Sequence, residues 1–391
     1  VKLAFVTYHL PPDALGGAER YAISLGSWLN ERGNEVEVFG AATKLRYQTM
    51  GHHGITLRKL PVLRQHRYYS YFASLWGTLR AESPLFSIVQ GFGITHLSGF
   101  VVSACKGKLP VVLRVEGELE PHICALSDTK IMALPAWCER TMKQADHFVV
   151  VSKCSVDELS NWGIHPQRIT YLPNAIDTDY WVPASQGKRD VRRSLQLHDN
   201  AFYAACVARL RPEKGHRTAL NAWRLVVNQT PDARLLVIGD GPEESDLRKL
   251  VRDLSLSDNV LFLGHKDNVR EYLQAADVSL LFSSAEGPAI SVQESLACGI
   301  PVIATAVGGL KDSVIPNETG ILVRPGDPES AATSILQYMN DKHLGSKLAR
   351  GAREFAVRNR SHKVLASCYE ALFKEVIERW EKETGKRLAG R

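Results

Sequence analysis

The sequence predicts an α/β protein of two domains, each built on a parallel sheet, and three observations carry that reading. The chain has 391 residues, more than one ordinary core holds and enough for two domains of common size. Short β-rich apolar runs alternate with helical patterns from one end to the other, as parallel strands joined by helices on both faces require. The alternation pauses once, over 179–200. There Pro183-Ala-Ser-Gln-Gly-Lys-Arg-Asp190 reads as a polar linker before a fresh apolar strand at Ala204. The boundary is placed after residue 182, giving domains at 1–182 and 183–364 and a closing helical segment at 365–391.

Strands are predicted in the first half at 3–7, 35–39, 88–90, 111–115, 147–151 and 169–172. In the second half they fall at 204–208, 234–238, 260–262, 278–282, 302–304 and 320–323. Helical periodicity lies between many of them, at 18–32, 133–145, 244–254, 269–275 and 291–298. A long amphipathic helix over 363–386 precedes a charged tail. The sequence shows neither a solenoid-spaced repeat nor a low-complexity tract.

Hydrophobic residues at 45% and charged residues at 23% are those of a globular protein. A formal net charge of +6 allows contact with phosphates or an anionic surface but is no nucleic-acid signature. The seven cysteines (Cys105, Cys124, Cys138, Cys154, Cys206, Cys298 and Cys368) are scattered, with no Cys-x-x-Cys pair. They fit reduced thiols in a cytoplasmic protein better than a disulfide framework or a zinc site. Residues 1–6 run straight into Pro11-Pro12 and read as a buried strand, not a signal peptide. No uncharged apolar run is long enough to cross a bilayer, which leaves open a protein that lies on one.

Three places carry chemistry. After the first strand, Gly16-Gly17 opens a helix, and paired glycines there let backbone N–H groups approach an anion at the positive end of the helix; a plain strand-to-helix turn would look the same. After the first strand of the second half, Arg209 and Lys214 offer a planar fork and a point charge to a diphosphate, at the strand end where parallel sheets bind ligands. A solvated basic loop is the alternative. Finally, Glu286 follows a buried strand and Glu294 lies about a turn into the next helix. That spacing suits two carboxylates accepting bonds from sugar hydroxyls, or two surface glutamates favouring a helix N-terminus. Gly239-Asp-Gly241 begins a dinucleotide fingerprint, but Glu244 stands where its third glycine belongs, which argues against a nicotinamide or flavin cofactor.

Taken together, these residues resemble the retaining glycosyltransferases of family 4 (group 1 glycosyl transferases). The likeness covers nearly the whole chain: Gly16-Gly17, the segment Pro173-Asn-Ala-Ile-Asp177, Arg209 with Lys214, Gly239-Asp-Gly-Pro242, and the run from Glu286 and Glu294 to Gly309. It implies the GT-B fold, two Rossmann-like parallel-sheet domains facing across a cleft, the first taking the acceptor and the second a nucleotide-sugar donor. By the same likeness Arg209 and Lys214 neutralise the diphosphate, with the Gly17 amide closing over it. Glu294 takes the ribose, Glu286 and the amides of Ala289 and Ile290 hold the transferred sugar, and Gly264-His265 lies beside the base. Catalytic duty falls to Glu286, Arg209, Lys214 and Glu116, and neither a cofactor nor a metal is expected.

This chain departs from its relatives twice. Glu116 stands where many carry a histidine, as a contact to sugar or acceptor or as a simple surface carboxylate. Pro288, in Glu286-Gly-Pro-Ala-Ile290, removes one backbone donor. A UDP-sugar is the preferred donor and GDP-mannose the runner-up, with an unspecified hydroxyl as acceptor and no nucleic-acid partner. Rival readings are a sugar-nucleotide epimerase on the same fold and a non-catalytic sugar-nucleotide-binding protein. Between Glu37 and Glu82 the sequence has no acidic residue, whereas Lys44, Arg46, Arg58, Lys59, Arg64, Arg67 and Arg80 interleave with aromatics. That stretch reads either as a helix with aromatics in the core or as a peripheral contact with the inner face of a membrane.

Overall fold

The structure, a computed structural model, describes residues 1–12, 16–42, 47–117 and 134–388. Contacts divide the chain into two compact units, Val1–Asn174 with His362–Arg391, and Ala175–Ser361.

In the first unit the strands are β1 (Lys2–Val6), β2 (Glu35–Ala41), β3 (Gln48–His52), β4 (Ile55–Leu60), β5 (Ile88–Phe92), β6 (Val111–Val115), β7 (His147–Val150) and β8 (Ile169–Tyr171). They form one sheet in the order β3-β4-β2-β1-β5-β6-β7-β8, parallel except for β3. Helices α1 (Gly17–Glu31), α2 (Arg67–Glu82), α3 (His96–Cys105), α4 (Leu134–Met142) and α5 (Cys154–Asn161) connect them. Strands buried on both faces need largely apolar runs, and β1, β5, β6 and β7 supply them, with Gln90 and Arg114 among the buried polar exceptions. Phe5 of β1 meets Phe92 edge-on at 5.2 Å and Phe373 at 6.4 Å. This second contact ties the C-terminal helix (His362–Thr384) to the first sheet, and bonds from Arg32 and Asn34, in the turn between α1 and β2, to Glu370 add to it.

The hairpin β3–β4 is absent from the sequence reading. Its outer strand is a polar, exposed edge without alternation, and its turn is two residues, His53 and Gly54, both at positive φ. The structure also divides the basic stretch beside it. Arg58 is an internal tie: its guanidinium binds Glu37 and Glu82 and lies 4.8 Å over Phe39, and Lys59 is buried. On α2, Tyr71, Phe72, Leu75 and Leu79 face the core, while Tyr68, Tyr69 and Trp76 are exposed with Arg80 over the Trp76 ring. Lys44, Arg46 and the Arg64 side chain lie outside what is described.

The second unit holds β9 (Tyr203–Val207), β10 (Arg234–Ile238), β11 (Val260–Gly264), β12 (Val278–Leu281), β13 (Val302–Thr305) and β14 (Gly320–Val323). All pair in parallel, in the order β11-β10-β9-β12-β13-β14. Helices α6 (Lys188–Ser194), α7 (His216–Gln229), α8 (Glu244–Asp253), α9 (Val269–Ala275), α10 (Ile290–Ala297), α11 (Pro328–Asn340) and α12 (Lys342–Asn359) complete it, with the fully buried Trp223 in the core. Strand order reverses between β9 and β12, which opens a crevice at their carboxyl ends.

The contacts place the division at Asn174/Ala175, not after residue 182. Residues 175–182 are held by the second unit: Ile176 pairs with Ser361, Arg353 donates to the Thr178 and Trp181 carbonyls, and Gln274 donates to Val182. Nor is 179–200 a bare linker. It contains α6, whose buried Arg192 bonds Asp277 at 2.7 Å and the carbonyls of Ala275 and Asp199. The same division puts His362 onward in the first unit, where the sequence segment begins at 365.

Of the cysteines, Cys105, Cys138, Cys206 and Cys298 are free and buried, and burial pushes each thiol up to about 12. Cys124 lies outside the described residues. Among the described residues no helix is long and apolar enough to cross a membrane.

The Asp277 carboxylate accepts from Lys188, Arg192 and the Tyr203 amide together. Asp277→Ala strands the buried Arg192 charge and is expected to cost roughly 3 kcal/mol of unfolding free energy, measured by urea titration. A loss below about 1 kcal/mol would show that this anchor is dispensable.

Candidate functional site

The predicted residues of the second unit gather on the carboxyl edge of its sheet, where loops are stitched to each other by backbone bonds. Beyond β9, the Leu210 amide donates to Asp240 at 2.8 Å and Glu243 donates back to the Leu210 carbonyl at 3.1 Å. Beyond β10, the Gly239 amide donates to Gly264 at 2.9 Å. The two loops run so close that a Cβ on Gly239 would lie 2.1 Å from the Ala208 carbonyl oxygen, and one on Gly241 would lie 2.4 Å from that of Leu210. These glycines therefore serve a close passage of two backbones beside Arg209. The Arg209 side chain is exposed, with no protein partner among the described residues.

Lys214 ends a short 3-10 turn, Pro212–Lys214. Gly215 follows at φ +70, and a Cβ there would sit 1.9 Å from the Phe282 carbonyl oxygen. The turn after β9 is thus pressed on the end of β12, and Ser284 donates its amide to Glu213 at 2.9 Å. That approach joins two residues predicted separately. The Lys214 ammonium donates to both Glu286 oxygens, at 2.8 and 2.7 Å, with the side chains only 23% and 10% exposed. Ser283 Oγ, absent from the sequence reading, donates to the same carboxylate at 2.8 Å, and Thr305 of β13 holds the Ser283 carbonyl. Gly309 donates its amide to the Glu286 carbonyl at 3.0 Å.

The remaining candidates of the second unit lie at the head of α10 and beyond β11. Ala289 caps α10 in extended backbone with no side-chain cap bond, so the first amides of that helix, Ile290 included, lack intrahelical partners. Glu294 is half-buried one turn inside α10, and after burial its charge is the next cause holding the Cys298 thiol high. His265 is exposed beyond Gly264, 3.6 Å from Asp267.

Gly16, Gly17 and Glu116 belong to the first unit. Gly16 caps α1 in ordinary extended backbone, and a Cβ there would meet only the flexible end of Glu19 at 2.7 Å. Both glycines are exposed. Glu116 is not a plain surface carboxylate. It pairs with Arg114, a fully buried arginine of β6 that also contacts Asn174, donates to Tyr369 Oη at 3.0 Å and stacks 4.0 Å over Tyr21. The sequence reading passed over Arg114. Its signal was a charge inside an otherwise apolar strand, two residues from an acid on the same face.

Residues 187–355 match the family model of Glycosyl transferases group 1, and residues 15–180 match that of Glycosyltransferase Family 4. The chain belongs to the group 1, family 4 glycosyltransferases. Among its relatives is the N-acetyl-alpha-D-glucosaminyl L-malate synthase of Bacillus anthracis, 26% identical over 93% of this chain and 95% of that one. A D-inositol 3-phosphate glycosyltransferase of Acidothermus cellulolyticus is 28% identical over 91% and 86%. Of solved structures, sucrose-phosphate synthase from Thermosynechococcus elongatus superposes with a TM-score of 0.79 at 22% identity, covering 97% of this chain and 99% of that one. HepE of Anabaena in complex with UDP gives 0.79 at 18%, covering 96% and 100%. The fold is GT-B, and the protein is a glycosyltransferase.

In this glycosyltransferase His216 opens α7 directly behind Lys214, is buried, and has neither ring nitrogen bonded among the described residues. Burial, then the Lys214 charge, lowers its pKa to about 4. His147, the first residue of β7, is lowered to about 4 by burial and by Arg379 and Arg168. Both rings are neutral in the fold and take up protons more readily when it unfolds. Their contribution is whole above pH ~6.5 and is lost as pH falls toward 4, at about 1.4 kcal/mol per unit of depression. Urea midpoints are expected to drop over that window, and His216→Gln should flatten the drop. Gly215→Ala is expected to unseat the Lys214–Glu286 pair and cut turnover at least tenfold; wild-type kinetics would mean that the close approach does not matter to the site.

Proposed function

We propose that this glycosyltransferase moves a hexosyl group from a nucleoside diphosphate to an acceptor hydroxyl with retention, and that its second unit holds the donor. The observation that carries this reading is the Lys214–Glu286 contact, flanked by the exposed Arg209, at the point where the second sheet reverses its strand order. That crevice is where open parallel sheets take ligands.

The bond that breaks joins the anomeric carbon to a phosphate oxygen, so positive charge grows on the ring and negative charge on the departing diphosphate. The Lys214 ammonium has three donors, and a carboxylate already fixes its place. A preset cation needs little rearrangement as the leaving charge develops, which stabilises the transition state more than the bound donor. Arg209 adds a fork for paired phosphate oxygens. Glu286 turns its oxygens to hydroxyls of the transferred sugar, with the open amides at the head of α10 beside it, while Glu294 takes the ribose. The acceptor oxygen then bonds to the anomeric carbon on the face that the diphosphate leaves. Its proton passes to the departing phosphate oxygen. With two side-chain cations in these roles, the transfer is assigned no metal.

UDP is the preferred nucleotide. GDP-mannose stays second because a Corynebacterium glutamicum relative, 33% identical over 46% of this chain and 49% of its own length, is named as GDP-mannose-dependent. The named relatives differ in acceptor, so none is carried over.

A thermal-shift panel of UDP-, GDP- and ADP-sugars is expected to show the largest rise with a UDP-sugar. Lys214→Ala and Arg209→Ala should each lower kcat/KM for transfer by about a hundredfold, or ~3 kcal/mol of transition-state stabilisation. Chelator should leave the wild-type rate unchanged. Full activity in Lys214→Ala, or turnover of a sugar nucleotide to its epimer without acceptor, would overturn the assignment.

A further inference from the structure

A helix at a protein surface ordinarily turns an apolar stripe to the core and charged residues of both signs to water. Helix α2 keeps only the first half of that rule. Its inward side is Tyr71, Phe72, Leu75 and Leu79, all buried. The side turned to solvent carries Tyr69, Ala73, Trp76, Gly77, Arg80 and Ala81: two rings, three small residues and one cation, with no acid. Tyr69, Trp76 and Arg80 follow one another at intervals of seven and four, so they share one stripe along the helix. Apolar groups stand at both of its ends. Leu63, whose amide donates to Ser70 Oγ at 2.9 Å, is 48% exposed, and Leu85, in the 3-10 turn after the helix, is 57% exposed. Exposed apolar groups gathered in one place mark a surface that meets something other than water.

Cations collect at the carboxyl end of this stripe. The Arg80 guanidinium lies 5.2 Å over the Trp76 ring. Lys108 Nζ donates to the Arg80 carbonyl at 2.8 Å, and Lys386 Nζ donates to the Gly107 carbonyl at 2.5 Å. Lys106, which ends α3, is exposed in the same turn. Among the described residues no carboxylate pairs with any of these four side chains. Glu82, the acid that closes α2, is already held by Arg58.

The size of the strip argues against a protein as its occupant. Sixteen residues of helix at one helix width, ~10 Å, offer about 240 Å², against the ~800 Å² per partner of a stable protein interface. A fluid surface has no such minimum, since it moulds itself to each ring. Tyr and Trp rings with a polar tip, cations beside them and no carboxylate are the composition suited to the boundary between water and hydrocarbon. Lipid phosphates at an anionic surface then answer the cations.

We infer that α2 lies on a bilayer that bears anionic lipid, with Tyr69 and Trp76 entering the headgroup layer and Arg80, Lys106 and Lys108 meeting lipid phosphates. Leu63 and Leu85 add apolar contact at the two ends of the helix. The contact belongs to the first unit and does not rest on the donor reading.

The test uses the full chain with vesicles of phosphatidylcholine, alone or mixed with phosphatidylglycerol. In flotation the protein is expected to rise with the mixed vesicles and to stay behind with pure phosphatidylcholine, and added salt should weaken the binding. Arg80→Gln combined with Lys108→Gln should lower the affinity for mixed vesicles about tenfold, and Tyr69→Ser about fivefold. Brominated acyl chains should quench the tryptophan fluorescence of the wild type and that of Trp76→Phe far less, which separates insertion from a purely electrostatic contact. Urea midpoints of the variants should match the wild type, because each altered group is exposed. Absence of binding to mixed vesicles, or equal binding by wild type and variants, overturns the inference. So does a dimer in sedimentation that Tyr69→Ser turns into a monomer, because the strip would then join two copies of the chain. Either failure leaves the donor reading standing, and loss of nucleotide binding with vesicle binding intact would remove the donor reading alone.

Discussion

Gly215 has no room for a side chain, and the Lys214–Glu286 pair of the second unit is arranged around that fact. With its α-carbon pressed on the Phe282 carbonyl, the turn after β9 cannot drift from the end of β12. Lys214, one residue before, and Glu286, four residues after Phe282, are left within bonding distance. Ser283, just past β12, then donates to the carboxylate, and Thr305 of β13 donates to the Ser283 carbonyl. Three neighbouring strands therefore set the position of one ammonium group. Rigid elements hold charged groups more exactly in register than a free loop can, and the role proposed for Lys214 calls for that fixity.

Much of the framework was legible because a strand covered on both faces has to be written in apolar residues. Strands β6, β10 and β14 fall where the runs at 111–115, 234–238 and 320–323 place them. The hairpin β3–β4 escaped because an edge strand facing water needs no such run. Residues 179–200 misled in the other direction. They are polar in sequence, yet Arg192 is buried by an ion pair with a residue 85 positions away, which no local pattern discloses. The site was legible as separate residue types at strand ends. Its pairing was not, since contact between Lys214 and Glu286 depends on how two loops meet. The same limit applies to Arg58, which looks like a surface charge in sequence and is spent inside the first unit on two glutamates.

Arg114 shows how a buried charge organises distant pieces of one unit. Its guanidinium meets Glu116 on the loop after β6, Asn174 where the chain leaves the unit, and Tyr369 on the helix by which it returns. An apolar residue would suit the strand as well, but it would not tie these three points together. A charge without water is tolerated only when its donors are matched, and here a carboxylate, an amide oxygen and a phenol match them, with the Tyr21 ring beneath.

That the first unit is made of Val1–Asn174 and His362–Arg391, with the second as one unbroken stretch between them, bears on how the molecule is born. As the chain leaves the ribosome, the inserted unit has every one of its strands and helices by residue 361. The earlier-made unit still waits for Phe373 to seal Phe5 and for Tyr369 to reach Arg114. The part synthesised first is thus the last to complete its core, and the amino-terminal sheet must stay soluble until the helix from His362 has been made.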